Sequence, residues 1–249
     1  MTQRDINLRV VLWKLLKLAM RFTPTLDRNV APPQADRLNI GCGQHGLPEW
    51  FNLDNSWSAW FSKRPHLHRL LRNVRLISAE HYELKWPDNI VVHDARRGLP
   101  CPDASIRFIY TSHFLEHLRR DEAHFILREC YRVLVPGGLI RVVVPDLFFF
   151  AKRYCNATES ELLNFLLTRA TSQHVEDLLN ALSIHSQPVA DRMPHRWMYD
   201  ELSLSYELTQ AGFTQIHRCE FQRGEMPDVH LLDNRPEDSL HMEARKPEG

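Results

Sequence analysis

Hydrophobic positions follow two periods along most of this 249-residue chain. From residue 36 onward, short apolar or β-branched runs stand at 37–40, 51–54, 90–93, 106–111 and 139–144. The fifth run, Leu-Ile-Arg-Val-Val-Val, is nearly continuous, as a parallel strand covered on both faces requires. Between the fourth and fifth runs, Ala123, Ile126, Leu127, Cys130, Val133 and Leu134 repeat with the period of one buried helix face. Asp121 is placed to cap that helix and Pro136-Gly137-Gly138 to end it. Asp200 heads a later helix with Leu204, Leu208 and Ala211 on one side and Gly212 just past its end. Strands at 214–220 and 239–244 follow. Strands alternating with helices predict an α/β fold, a Rossmann-like, doubly wound and mostly parallel sheet.

The flanking pattern differs. Residues 8–22 are apolar except for Arg9, Lys14, Lys17 and Arg21, the last three on one helical face. Their longest unbroken apolar run, residues 10–13, is far short of the ~20 residues that span a bilayer. The lysines also break a signal-peptide core. This segment reads as an amphipathic helix, packed over the domain or resting on a membrane surface, with a Pro-rich linker behind it. Residues 1–35 therefore precede a domain at 36–249. Residues 147–193 are too long for a simple crossover and read as a helical cap over the substrate mouth.

Composition narrows the partners. Thirty-one basic and 31 acidic side chains leave zero formal charge, which argues against nucleic acid, whose phosphates call for a basic surplus. Five cysteines without a C-x-x-C pair fit free thiols in a reducing compartment. A cytoplasmic location follows, at the membrane periphery if residues 8–22 touch lipid. Fourteen histidines raise metal and acid–base chemistry.

Open parallel sheets bind ligands outside the carboxyl ends of their strands. Those positions hold Gly41-Cys42-Gly43-Gln44-His45-Gly46, then Asp54-Asn55, Asp94-Ala95, Ser112-His113 and Pro145-Asp146. Glycines let a ligand approach backbone, a carboxylate after the second strand suits a ribose diol, and one after the third suits an adenine amino group. The site is adenosine-shaped. Gly41-x-Gly43-x-x-Gly46 also matches the dinucleotide fingerprint, but Gly46 and Pro48 occupy the first turn of the helix that would hold a pyrophosphate. His113-x-x-Glu116-His117 matches an inverted zinc-hydrolase signature, which needs both histidines on one helix face.

Leu38-Asn39-Ile40-Gly41-Cys42-Gly43 with Asp54, Leu99-Pro100 with Asp103-Ala104-Ser105, Ser112 to Leu118, and residues 129–147 together resemble class I S-adenosylmethionine-dependent methyltransferases of the type-11 group. Residues 194–200 and 233–240 resemble a bacterial subgroup associated with cell-surface glycan biosynthesis. The resemblance implies a seven-stranded sheet in order 3-2-1-4-5-7-6 with strand seven antiparallel. It implies S-adenosyl-L-methionine as cofactor, with Gly41, Cys42 and Gly43 along its methionine and ribose and Asp54 and Asn55 at the ribose hydroxyls. Asp94 and Ala95 would meet the adenine, and Ser112 and His113 the methyl end.

The implied reaction is methyl transfer to a hydroxyl of a small molecule, sugar or glycan precursor. An alcohol acceptor needs a base, for which His113, His195 and Asp146 are the candidates. Arg196 and Arg235 suit an anionic sugar or phosphate, with Tyr199 beside them. No metal ligand is assigned. The alternatives are a non-catalytic adenosyl-binding module and the zinc hydrolase.

Overall fold

The computed structural model describes residues 35–73, 82–156, 195–235 and 238–249. The helix and linker expected before residue 35, residues 74–81 and most of the 147–193 cap lie outside the described residues. Among the described residues, no helix is long and apolar enough to cross a membrane.

Seven strands form one sheet: β1 (Arg37–Ile40), β2 (Phe51–Asp54), β3 (Ile90–Val92), β4 (Ile106–Ser112), β5 (Leu134–Pro145), β6 (Thr214–Cys219) and β7 (Ser239–Arg245). Their order is β3-β2-β1-β4-β5-β7-β6, with β1 to β5 parallel and β7 antiparallel to both its neighbours. The helices are α1 (Trp57–Ser62), α2 (Pro65–Asn73), α3 (Arg120–Val133), α4 (Leu147–Cys155), α5 (Glu201–Gln210) and α6 (Val229–Leu232). Leu38, Ile40, Leu53, Ile109, Ile140 and Val142 from the central strands share one core with the apolar face of α3 and with Leu204 and Leu208 of α5. Register places Ile40 opposite both Leu53 and Thr111, so the loops after β1, β2 and β4 open on the same edge.

Two local expectations change. Asp121 does not cap α3; Arg119 is its N-cap, and Glu122 accepts the Arg119 backbone N–H at 2.9 Å, with Asp121 inside the first turn. The helix ends at Val133, before Pro136-Gly137-Gly138, which lies inside β5: the strand begins directly after α3, pairs Leu134 with Ile106, and shifts register before pairing Leu139 with Phe108. Proline is tolerated in a strand at such an irregularity. Leu134 accordingly belongs to the strand and not to the helix face.

The apolar run of β5 also carries one polar residue. Arg141, at the middle of the most buried strand, is fully inaccessible, as are Asp233 and Glu243 beside it. Its Nη2 donates to Asp233 Oδ2 at 2.6 Å and its Nη1 to Glu243 Oε1 at 2.8 Å, while the carbonyls of Arg223 and Glu220 accept its remaining protons. The carboxylates are satisfied in turn: Tyr110 and the Gln222 N–H donate to Asp233, and the N–H groups of Glu225 and Met226 donate to Glu243. A buried ion pair holds only when its leftover donors and acceptors are met in this way.

Candidate functional site

The edge where the loops meet starts at Gly41 (φ +70) and Gly43 (φ +53), both in the left-handed region that favours glycine. A Cβ on Gly41 would lie 2.9 Å from Phe114 Cβ, whereas one on Gly43 would meet nothing within 4 Å. The first glycine therefore seats the β4 loop and the second leaves its backbone open to a ligand. Gly46 has a different reason: a side chain there would strike Asn52 at 2.7 Å and Pro87 at 2.8 Å. No helix occurs between β1 and β2, so no helix N-terminus is offered to a pyrophosphate. The dinucleotide reading fails on that geometry.

Asp54 ends β2 facing this loop. Its Oδ2 accepts the Gly43 N–H at 3.0 Å and its Oδ1 the Ser56 N–H at 2.7 Å. Each oxygen keeps a second lone pair, which is what a ribose diol requires. Asn55 is exposed next to it. Cys42 turns the other way, into a small cluster with Ala59 and Ile90, and burial, with Asp54 close by, pushes its thiol far above the ordinary range. Only its backbone remains for a ligand.

Asp94 caps the single turn Ala95–Arg97, with Ala95 buried behind it. Its two oxygens accept from Arg96 Nε at 2.9 Å and Nη2 at 2.8 Å. Burial opposes ionisation here, but the Arg96 hydrogen bonds and charge outweigh it and hold the carboxyl below its ordinary value. An adenine amino group would share this carboxylate with Arg96.

The end of β4 is the strained part of the edge. Ser112 is half-buried, and His113 follows it at φ +50, a conformation that costs a residue with a Cβ roughly 1 kcal/mol and clusters at functional sites. His113 Nε2 lies 3.1 Å from Ser239 Oγ and its Nδ1 3.3 Å from Glu116 Oε1. His113 and His117 do not share a helix face, because only the single turn Leu115–His117 forms there. The inverted zinc-hydrolase arrangement therefore lacks its scaffold. What forms instead joins Glu116 and His117 to His195, whose ring centroid is 5.0 Å from that of His117.

In the sequence Glu116 stands out only as part of that motif, and Trp197 and Ser239 only as members of the stretches 194–200 and 233–240. Glu116 is fully buried. Its backbone carbonyl accepts the N–H groups of Arg196 at 2.7 Å and Trp197 at 3.2 Å, which pins the 195–199 segment against β4. Arg196 and Trp197 are exposed there, with Arg120 over the Trp197 ring at 5.4 Å. Arg235 is also exposed.

Two candidate residues already have structural partners. Tyr199 is 1% exposed within the main core, where burial first and Glu207 second push its phenol up. Asp146 caps α4: Oδ1 accepts the first N–H groups of the helix, and Oδ2 pairs with Arg218 at 3.0 Å.

Comparison with known proteins agrees with this geometry. The methyltransferase domain family matches residues 38–142. A protein of Mycolicibacterium smegmatis named "Probable S-adenosylmethionine-dependent methyltransferase" is 37% identical over 71 residues, which are 28% of this chain and 27% of that protein. The matched stretch is thus about a quarter of that relative. Among solved structures, a SAM-dependent methyltransferase of Methanosarcina mazei is 18% identical, with 84% of this chain and 91% of that one covered at a TM-score of 0.46. One of Archaeoglobus fulgidus is 15% identical, with 96% and 94% covered at a TM-score of 0.39. The family match covers residues 38–142, the stretch that carries β1 to β4 and most of β5.

Proposed function

We propose that the protein is an S-adenosylmethionine-dependent methyltransferase acting on a hydroxyl of a small molecule, most naturally a sugar or glycan precursor. The observation that carries the reading is the Gly43 N–H held 3.0 Å from the Asp54 carboxylate inside the family-matched segment. Open backbone at Gly43 and free lone pairs on Asp54 fit the methionine–ribose part of such a cofactor. When bound, S-adenosylmethionine supplies a methyl group already activated on a sulfonium.

The chain then has to orient an acceptor, exclude water and take up a proton. His113 is the group at the strand end that does the last of these. Its ring is fixed between Ser239 and Glu116, and Nε2 receives the proton that the acceptor hydroxyl releases. Exposed Trp197 offers an apolar face to a sugar ring, and Arg196 next to it offers charge to an anionic group.

Calorimetric titration with S-adenosylhomocysteine tests the cofactor part. Asp54→Ala should weaken binding about tenfold or more, since a hydrogen bond to a charged group contributes about 1.5–3 kcal/mol. Undiminished affinity would remove Asp54 from the ribose site. Labelled S-adenosylmethionine with a panel of sugar acceptors tests the reaction, and His113→Ala should lose transfer while retaining S-adenosylhomocysteine. Binding without transfer to any acceptor would leave an adenosyl-binding module.

A further inference from the structure

Glu116 presents a problem that methyl transfer does not solve. Its side chain is 0% exposed, and neither carboxylate oxygen has a hydrogen-bond partner. Among the described residues no lysine or arginine lies within ion-pair distance; the groups around it are His113 Nδ1 at 3.3 Å and His117 Nε2 at 3.9 Å. The two N–H groups that reach Glu116, from Arg196 and Trp197, go to its backbone carbonyl and leave the carboxylate untouched. A buried carboxylate in this condition needs a cation, and imidazoles beside it are ligands as readily as partners.

The geometry points to a divalent transition-metal site formed by Glu116, His117 and His195. One ligand atom from each lies within 4.8 Å of the others. A zinc ion bound at about 2.0–2.1 Å sets neighbouring tetrahedral ligands about 3.4 Å apart, so side-chain rotation of about 1 Å completes the set. Two imidazoles and one carboxylate favour zinc, iron(II), cobalt(II) or manganese(II) over magnesium and calcium, which take oxygen donors. His117 is a quarter exposed, so a fourth position opens toward solvent for water.

The backbone is already arranged for this. The N–H groups following His195 anchor its segment on Glu116, so the third ligand, far away in sequence, is delivered to the other two. The contrast with the other such group, His217, Cys219 and Glu243, is informative: there Glu243 is already held by Arg141 at 2.8 Å and by backbone, which leaves no charge for an ion to balance. The site does not depend on the glycine loop binding a cofactor, although Glu116 also stands 3.3 Å from His113 Nδ1.

The test uses the full chain, purified without a histidine tag, stripped with a chelator and dialysed against zinc, with metal content and melting temperature as readouts. We expect about one zinc per chain, a raised melting temperature, and affinity reduced about tenfold or more in His195→Ala and in His117→Ala. Glu116→Gln should lose the ion as well. If that variant fails to fold, the His195→Ala comparison decides alone, because His195 is only partly buried. Less than about one-tenth equivalent of zinc in the unaltered chain overturns the proposal. So does equal affinity in His195→Ala, which would put the zinc on other histidines. Cofactor calorimetry on the same preparations keeps failure here separate from failure of the methyltransferase reading.

Discussion

Among the described residues two places bury carboxylates completely, and they treat them in opposite ways. Asp233 and Glu243 surround Arg141, and side-chain and backbone donors meet all four of their oxygens. Glu116 is equally buried, yet its oxygens accept no hydrogen bond. The first arrangement is complete and ties strands together. The second has only the imidazoles of His113 and His117 beside it among the described residues, and it lies at the strained end of β4, beside the candidate reaction site. Burial of charge is therefore not by itself a sign of function; an unmet valence is.

The largest test of that contrast is Arg141→Met. Removing the guanidinium leaves two buried carboxylates unpaired and should cost about 3–5 kcal/mol, read from the urea midpoint. A loss under about 1 kcal/mol would mean the carboxylates find other partners and the cluster is not the lock described here. A smaller effect concerns pH. His241 lies 3.7 Å from Asp233, and burial, helped by Arg141 and opposed by Asp233, holds its imidazole below the ordinary value. The unfolded chain takes up that proton near pH 6.5 while the folded chain refuses it. Stability should therefore fall as pH drops below about 6.5, until the folded imidazole itself protonates. His241→Gln should flatten that slope in matched unfolding curves; an unchanged slope would assign it to other groups, His68 among them.

Glu116→Gln sharpens the comparison from the other side. In metal-free protein it removes a charge that nothing meets, so it should cost under about 1 kcal/mol or stabilise. A loss as large as that of Arg141→Met would show Glu116 to be paired in the fold after all. The smallest effect is expected at Arg96→Ala, where an ion pair with Asp94 is partly open to solvent and contributes about 0.2–1 kcal/mol. Thermal melts with and without added salt would separate that contribution from packing.

How far the sequence could be read follows the range of the interactions. The apolar runs that became β1, β2 and the centre of β5, the Asp200 cap and the Gly41–Gly43 loop were all legible, because each depends on residues close in the chain. The start of β5 was not. Pro136-Gly137-Gly138 has the local chemistry of a turn, and pairing of Leu134 with Ile106 overrides it. Nothing near Arg141 in the chain marks its role, because its partners are 92 and 102 residues away. Tyr199 and Asp146 sat in plausible motifs, and only the folded chain shows one in the core and the other capping α4. The histidine motif folds as a single turn and not as a helix face, and His195, which packs beside His117, comes from a distant part of the chain.

The place of Arg141 also sets an order of events during synthesis. Translation delivers β5, the inner strand of the sheet, well before Asp233, Glu243 and the strand β7 that lies against it. Until those arrive, the nascent chain carries a cation at the position that must become its driest, and β5 has an open edge where β7 will pair. The half-made domain thus cannot close early around its own centre. Asp233, Glu243 and β7 admit the middle of the sheet to the interior, and a ribosome stalled before them holds a chain that is open by construction.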